Sequence, residues 1–188
     1  MEKEKTILIV DDIEVNRALL AENFKDDYEI VEAGDGEEAL KVLDSGRDIA
    51  AVLLDLIMPK MNGLDVLREM NRNGKIKHIP VFLITAANSE EMLSEGYELG
   101  AIDIIAKPFM PYFLRCRINN VVELYGHRNE LEHIVAKQVD RLNKLNRSIV
   151  ETLATVIEFR DGESGEHVRR IGRLTEILMT EVSNTYPE

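Results

Sequence analysis

The chain has 188 residues, 45% hydrophobic and 31% charged, with 35 Asp and Glu against 23 Lys and Arg and a net charge of −12. That length holds one ordinary domain and a smaller second part, and the composition excludes a disordered or fibrous chain. The acidic excess argues against nonspecific nucleic-acid binding, no apolar run nears 18 residues as a membrane span requires, and a lone Cys116 excludes a disulfide framework and suits a reducing cytoplasm.

The N-terminal MEKEKTILIV passes from charges directly into a strand-like run without a small-residue cleavage site, so no secretory signal is expected. TILIV (6–10) is the first of five short apolar runs. A segment with helical spacing follows from about Val15 to Phe24, then YEIVEA (28–33) and a second helical segment, Gly36 to Leu43. AVLL (51–54) precedes a third, Gly63 to Met70; VFLIT (81–85) precedes a fourth, Glu90 to Leu99; IDIIA (102–106) closes the series. Asp35, Asn62 and Ser89 stand where the last three helices need caps. Four of the five runs are nearly continuous in apolar residues, which suits parallel strands covered on both faces. Strands alternating with helices predict a doubly wound α/β fold, five parallel strands with helices on both sides.

Beyond Pro111 the pattern changes. Residues 1–110 hold 23 acidic and 12 basic residues, whereas 111–188 hold 12 and 11, as in a chain of two parts with different tasks. From Tyr112 to Arg160 there is no proline and one glycine, Gly126. Val121, Val135, Leu142, Ile149 and Val156 fall at one heptad position. Leu124, Leu131, Leu145 and Phe159 fall at the other, with Arg128, Gln138 and Thr152 as polar interruptions. Such spacing predicts a long helix that pairs with a second copy; packing within its own domain is the alternative. Arg160 to Gly165 forms a polar break, and a second helix is expected from Glu166 to Val182, with Val168, Ile171, Leu174, Ile177 and Leu178 on one face. Two short helices bury little core, so this end reads as the opening of a domain that continues further.

In doubly wound sheets ligands gather at the carboxyl ends of the strands. Here those ends carry Asp11-Asp12, Asp55, Thr85 and Lys107-Pro108. The turn VDDIEVN has no glycine and so cannot cradle a phosphate with its backbone. Clustered carboxylates repel one another unless a cation joins them, and oxygen donors favour Mg²⁺ or Mn²⁺. Such an ion would offset the charge of an incoming phosphoryl group. Asp55, at the end of the central strand, is then the expected nucleophile, with Lys107 and Thr85 contacting the phosphoryl oxygens. Taken singly, Asp11-Asp12 could be a helix cap, Thr85 a strand end and Lys107-Pro108 a loop with a cis bond. Their joint occurrence in this order is what is specific.

VDDIEVN, LLDLIMPKMNGLDVLREM, IPVFLITA and GAIDIIAKPF resemble the motifs of bacterial response-regulator receiver domains, over about residues 5–125. The resemblance implies a flavodoxin-like fold, with Asp55 as phosphoacceptor and Asp11 and Asp12 in an acid pocket. It further implies Mg²⁺ on these acids and on the Ile57 backbone carbonyl, Thr85 and Lys107 as the phosphoryl-sensing pair, and a cis Lys107–Pro108 bond. Gly63 matches the glycine that opens the third helix, and the phosphodonor would be a cognate sensor histidine kinase. Two positions depart from the pattern. Ile104 replaces the usual aromatic three residues before the lysine, and Ile57 stands two after the acceptor, where polar residues are frequent.

Ser148 to Val182, with EFRDGESGEHVRRI at its centre, is similar to the opening of HD-GYP domains, metal-dependent phosphodiesterases of cyclic di-GMP. Glu163 and His167 match metal-site residues there, but no His-Asp dipeptide and no Gly-Tyr-Pro occurs, and the other histidines are His78, His127 and His133. This chain is therefore expected to be no phosphodiesterase by itself, whereas a longer parent could be one, regulated by its receiver. The expected division is a receiver at 1–125, a coiled-coil-like helical linker at 126–160 and an incomplete HD-GYP-like segment at 161–188. The function expected is a Mg²⁺-dependent cytoplasmic phosphorelay switch, homodimeric through the long helix. A transcription factor is disfavoured because 111–188 shows no basic stripe. A phosphatase of the dehalogenase type is disfavoured because its nucleophile lies on the first strand.

Overall fold

TILIV, AVLL and VFLIT can be strands because each offers apolar side chains to both sides of a sheet, and each is buried along its length. In the computed structural model the backbone is described for residues 5–86, 89–161 and 169–177, with side chains for all of these except 157–161. The strands are β1 (Thr6–Val10), β2 (Glu29–Ala33), β3 (Ile49–Asp55), β4 (Val81–Thr85) and β5 (Asp103–Ala106), all parallel in the order β2-β1-β3-β4-β5. Helices α1 (Glu14–Phe24), α2 (Gly36–Asp44), α3 (Gly63–Arg72), α4 (Glu90–Glu98) and α5 (Pro111–Asp161) connect and follow them. A short 3-10 turn at Lys75–Lys77 leads into β4. This is the five-stranded doubly wound fold expected. β3 runs further than AVLL, from Ile49 through Asp55, because it is paired on both edges, with β1 and with β4.

Alternate residues of each strand feed two cores. Leu8, Val10, Val52, Leu54 and Leu83 pack with Leu43 of α2 and with Leu67 and Met70 of α3. Ile7, Ile9, Leu53, Phe82 and Ile84 pack with Leu20 and Phe24 of α1 and with Leu114, Ile118 and Val122 of α5. The edge strand β2 is only partly covered, as the charges in its sequence suggest.

The caps vary. Asp35 accepts the Glu38 backbone N–H at 2.9 Å. Asn62 forms a full capping box with Asp65, each side chain accepting the other's backbone N–H, at 2.9 and 3.3 Å. Ser89 precedes α4 as expected, but its side chain makes no capping hydrogen bond; Glu90 and Glu91 complement the positive end of that helix instead.

By contacts the chain divides into two compact units, Met1–Glu130 and Leu131–Glu188. In the first, Leu114, Ile118 and Val122 are buried, and Val121 is half-buried against the same cluster. The heptad seam expected to begin at Val121 therefore does not: that side chain is held by its own sheet. Leu124 is exposed, as are Leu131, Val135, Leu142, Leu145, Ile149 and Val156 further along α5. The break expected from Arg160 does not begin there, since the backbone stays helical through Asp161; the rest of it at 162–165, with Glu163, and the Phe159 side chain and His167 lie outside the described residues. Of the expected second helix, residues 169–177 are helical, and within this unit Arg147 Nη2 contacts Glu176 Oε1 at 2.9 Å. Among the described residues no helix is long and apolar enough to cross a membrane.

Candidate functional site

Parallel register brings the strand ends together. Val10 is paired with Leu54, Asp55 with Ile84, and Thr85 with Ala106, so Asp11, Asp55, Thr85 and Lys107 leave the sheet side by side. Ligand oxygens of Asp11, Asp12 and Asp55 lie within 4.8 Å of one another. Asp11 and Asp55 are buried; Asp12 is exposed, on the solvent side of the cluster.

Asp11 is the most heavily bonded of the three. Its carboxylate accepts the Ile13 backbone N–H at 2.9 Å, both oxygens accept from Asn16 Nδ2 at 3.0 and 3.1 Å, and Oδ2 accepts from Lys107 Nζ at 2.7 Å. Arg17 Nη1 donates to the Asp11 carbonyl at 2.8 Å and reaches back to Glu32 at 3.0 Å. Asn16 and Arg17 were not singled out from sequence. Their one signal is position: both stand in the first turn of α1, where a side chain can turn back over the end of β1.

Asp55 is held differently. Its Oδ2 accepts from Lys107 Nζ at 3.1 Å, and its Oδ1 meets only the Ile57 N–H at a long 3.4 Å. One oxygen is thus tied to the ammonium and the other keeps lone pairs for a ligand. Burial pushes the Asp55 carboxyl above its ordinary range; the Lys107 hydrogen bond and charge oppose that, and the Asp11 carboxylate adds to it. Burial alone would lower Lys107, but its hydrogen bonds to Asp11 and Asp55, with their charges, outweigh it and raise the ammonium.

Thr85 is buried at the end of β4, and its carbonyl accepts the Lys107 backbone N–H at 2.8 Å, which fixes where the lysine leaves β5. The Lys107–Pro108 bond is cis, as the resemblance implied. Ile57, 57% exposed, stands on the open side of the site. Gly63 opens α3 so close to β3 that a Cβ would lie 2.5 Å from the Asp55 carbonyl oxygen, and its N–H donates to the Leu56 carbonyl at 3.0 Å. Ile104 is half-buried against the α2–α3–α4 core, and a Cβ on Gly96 of α4 would stand 3.4 Å from its Cδ1. A small cavity of about 170 Å³ adjoins the site, lined by Asn16, Leu19, Leu20, Lys107, Pro108 and Phe109.

Three carboxylates against one ammonium leave an excess of negative charge in oxygen-only surroundings. That donor set suits a hard divalent cation and is poorly matched to soft metals. The sequence-predicted residues on this edge converge, whereas Glu163 and His167 are outside the described residues.

The chain matches the response regulator receiver domain over residues 7–119, and it belongs to that family. It is 32% identical over 187 residues to a probable cyclic di-GMP phosphodiesterase of Vibrio cholerae, covering 96% of this chain and 42% of that protein. It is 29% identical to the cyclic di-GMP phosphodiesterase response regulator RpfG of Xanthomonas campestris, covering 92% and 48%. The chain thus spans about half the length of these curated relatives. Among solved structures, the chemotaxis protein CheY4 of Vibrio cholerae superposes with a TM-score of 0.58 at 30% identity, covering 62% of this chain and 98% of that one. A CheY-like receiver from Methanospirillum hungatei gives 0.61 at 23% identity, over 66% and 98%, a likeness of fold.

Proposed function

We propose that this receiver is a Mg²⁺-dependent phosphoacceptor, charged on Asp55 by a sensor histidine kinase. The observation that carries the reading is the Lys107 ammonium, bonded to Asp11 and Asp55 at 2.7 and 3.1 Å beside the exposed Asp12. Asp12, Asp55 and the Ile57 carbonyl would hold the cation, with Asp11 behind them; the ion would offset phosphoryl charge. The unengaged Asp55 oxygen attacks phosphorus, the bond from phosphorus to the donor nitrogen breaks, and the electron pair leaves with the imidazole. Lys107 then moves its hydrogen bond from Asp55 towards the new phosphoryl oxygens, and Thr85 supplies a hydroxyl to them.

The domains we assign are a receiver at 1–125, a helical linker at 126–160 and an HD-GYP-like segment at 161–188. The signal would pass along α5, paired with a second copy, to an output domain in the cytoplasm. A second reading, a receiver-regulated cyclic di-GMP phosphodiesterase in a longer parent protein, is favoured by the similarity to two such enzymes over more than nine-tenths of this chain.

The test is intact mass after incubation with Mg²⁺ and a small phosphodonor, wild type beside Asp55→Asn. One added phosphoryl group in wild type, lost without Mg²⁺ and absent from the variant, is expected. Equal labelling of the variant would overturn Asp55 as acceptor.

A further inference from the structure

Asp11, Asp12 and Asp55 bring ligand oxygens within 4.8 Å of one another, but those oxygens are not equally free. An ionised carboxylate has about four lone-pair positions. At Asp11 four contacts meet them. Oδ1 accepts the Ile13 N–H at 2.9 Å and Asn16 Nδ2 at 3.0 Å. Oδ2 accepts Asn16 Nδ2 at 3.1 Å and Lys107 Nζ at 2.7 Å. Asn16 thus makes two of the four, and it is the amide nitrogen that faces Asp11, since the amide oxygen would be repelled by both carboxylate oxygens. Asp55 stands in contrast, its Oδ1 meeting the Ile57 N–H at a long 3.4 Å, and Asp12 is exposed.

Asn16 is neutral, so it fills these positions without altering the charge of the edge. In their ionised forms the three carboxylates and the Lys107 ammonium leave two negative charges, the match of one divalent ion. A cationic side chain at position 16 would occupy Asp11 equally well, but it would cancel one of those charges.

We propose that Asn16 is the positioning residue that sets the cation preference of this site: by occupying Asp11, it leaves Asp12 and Asp55 as the carboxylates able to bind a metal directly. The inference rests on the Mg²⁺ reading above and deepens it. Mg²⁺ keeps several waters and takes one or two carboxylates, whereas Ca²⁺ gathers about six to eight oxygens in a flexible geometry. Two available carboxylates meet the first need and fall short of the second. With the Asn16 amide gone, each Asp11 oxygen regains a lone-pair position, and a third carboxylate can join the larger ion. The surroundings tolerate that change. Asn16 lines the cavity of about 170 Å³ together with Leu19, Leu20, Pro108 and Phe109. Leucine, close to asparagine in size, finds apolar neighbours there, so Asn16→Leu removes the donor without crowding the fold.

Arg17 supplies the control, because its Nη1 donates to the Asp11 carbonyl at 2.8 Å and leaves the carboxylate alone. Arg17→Met therefore loosens the same residue while its four lone-pair positions stay filled. Titration calorimetry of the full chain with MgCl₂ and with CaCl₂ gives two dissociation constants for each variant. Heat that survives Asp12→Ala arises elsewhere on this acidic chain and is subtracted. In Asn16→Leu the ratio of the Ca²⁺ constant to the Mg²⁺ constant should fall at least about tenfold, the scale on which an outer-shell partner acts. In Arg17→Met the two constants should move together and the ratio change less than about threefold, below that scale. An unchanged ratio in Asn16→Leu, with Mg²⁺ still bound by wild type, would overturn the inference and leave the Mg²⁺ reading standing. An equal fall in both variants would also overturn it, since the placement of Asp11 rather than its occupancy would then decide. A wild type that binds neither ion at this site would overturn the Mg²⁺ reading and the inference with it.

Discussion

Replacing Gly63 by alanine sets two effects of opposite sign against each other. Alanine in place of glycine in a helix is worth up to about 1 kcal/mol, since the unfolded chain loses freedom it no longer has to surrender. Against this, the new methyl would lie 2.5 Å from the Asp55 carbonyl oxygen, 3.0 Å from Leu56 Cα and 3.2 Å from the Asp55 carbonyl carbon. Ordinary contact is about 3.5 Å, so up to about 1 Å must be found. All three atoms are backbone, and no rotamer change can give way. The start of α3 must lift from the end of β3, disturbing the Gly63–Leu56 hydrogen bond, at a cost of about 1–3 kcal/mol. The steric cost exceeds the entropic gain, so the variant should be less stable by about 1 kcal/mol and should accept phosphate more slowly. Gly126, inside α5 of the same unit, is the internal control: a Cβ there meets only the Lys5 Nζ at 3.3 Å, the free end of a flexible chain. Gly126→Ala should gain about 0.5–1 kcal/mol. Urea unfolding reads both, with midpoints moving in opposite directions by about half a molar. Equal or greater stability of Gly63→Ala would refute the close approach of α3 to β3.

Two further outcomes concern the charges at the site. Burial raises the Asp55 carboxyl above its reference value of 3.8, so the folded state holds that proton more tightly than the unfolded chain and loses stability as pH climbs past it. In metal-free buffer Asp55→Asn should therefore be more stable than wild type at pH 7, with the advantage gone near pH 3. A pH-independent difference in thermal midpoint would contradict this. Lys107→Met leaves two buried carboxylates facing each other and should cost about 3 kcal/mol at pH 7, the low end for breaking a buried pair because the lysine side chain is 21% exposed. The deficit should shrink as the acids protonate, and a constant deficit from pH 7 to pH 4 would point to lost packing instead.

Most of the receiver was legible because its strands are extreme. TILIV, AVLL and VFLIT are apolar enough to be covered on both faces, and parallel strands bring their carboxyl ends to one edge, so the sequence alone already places Asp11, Asp55, Thr85 and Lys107 side by side. What escaped depends on tertiary direction. Asn16 reads as an ordinary residue of a helical first turn until its amide is seen grasping both oxygens of Asp11. Val121 fits a heptad as well as Leu124 does, but periodicity does not say whether an apolar residue faces its own sheet or a neighbour; Val121 belongs with Leu114, Ile118 and Val122. Ser89 is a capping residue by type whose bond is not made, because propensity sets what a side chain can do rather than what its neighbours leave for it.

The Lys107 ammonium joins carboxylates 96 and 52 positions earlier in the chain. Neither contact can exist until β1, β3 and β5 share one sheet, and such distant pairings are the slow part of folding. The acid cluster is consequently a late product of folding, and a chain caught midway has carboxylates but no constellation. A kinase that recognises the assembled edge would leave unfinished molecules uncharged, so only receivers that have completed their sheet would take part in signalling.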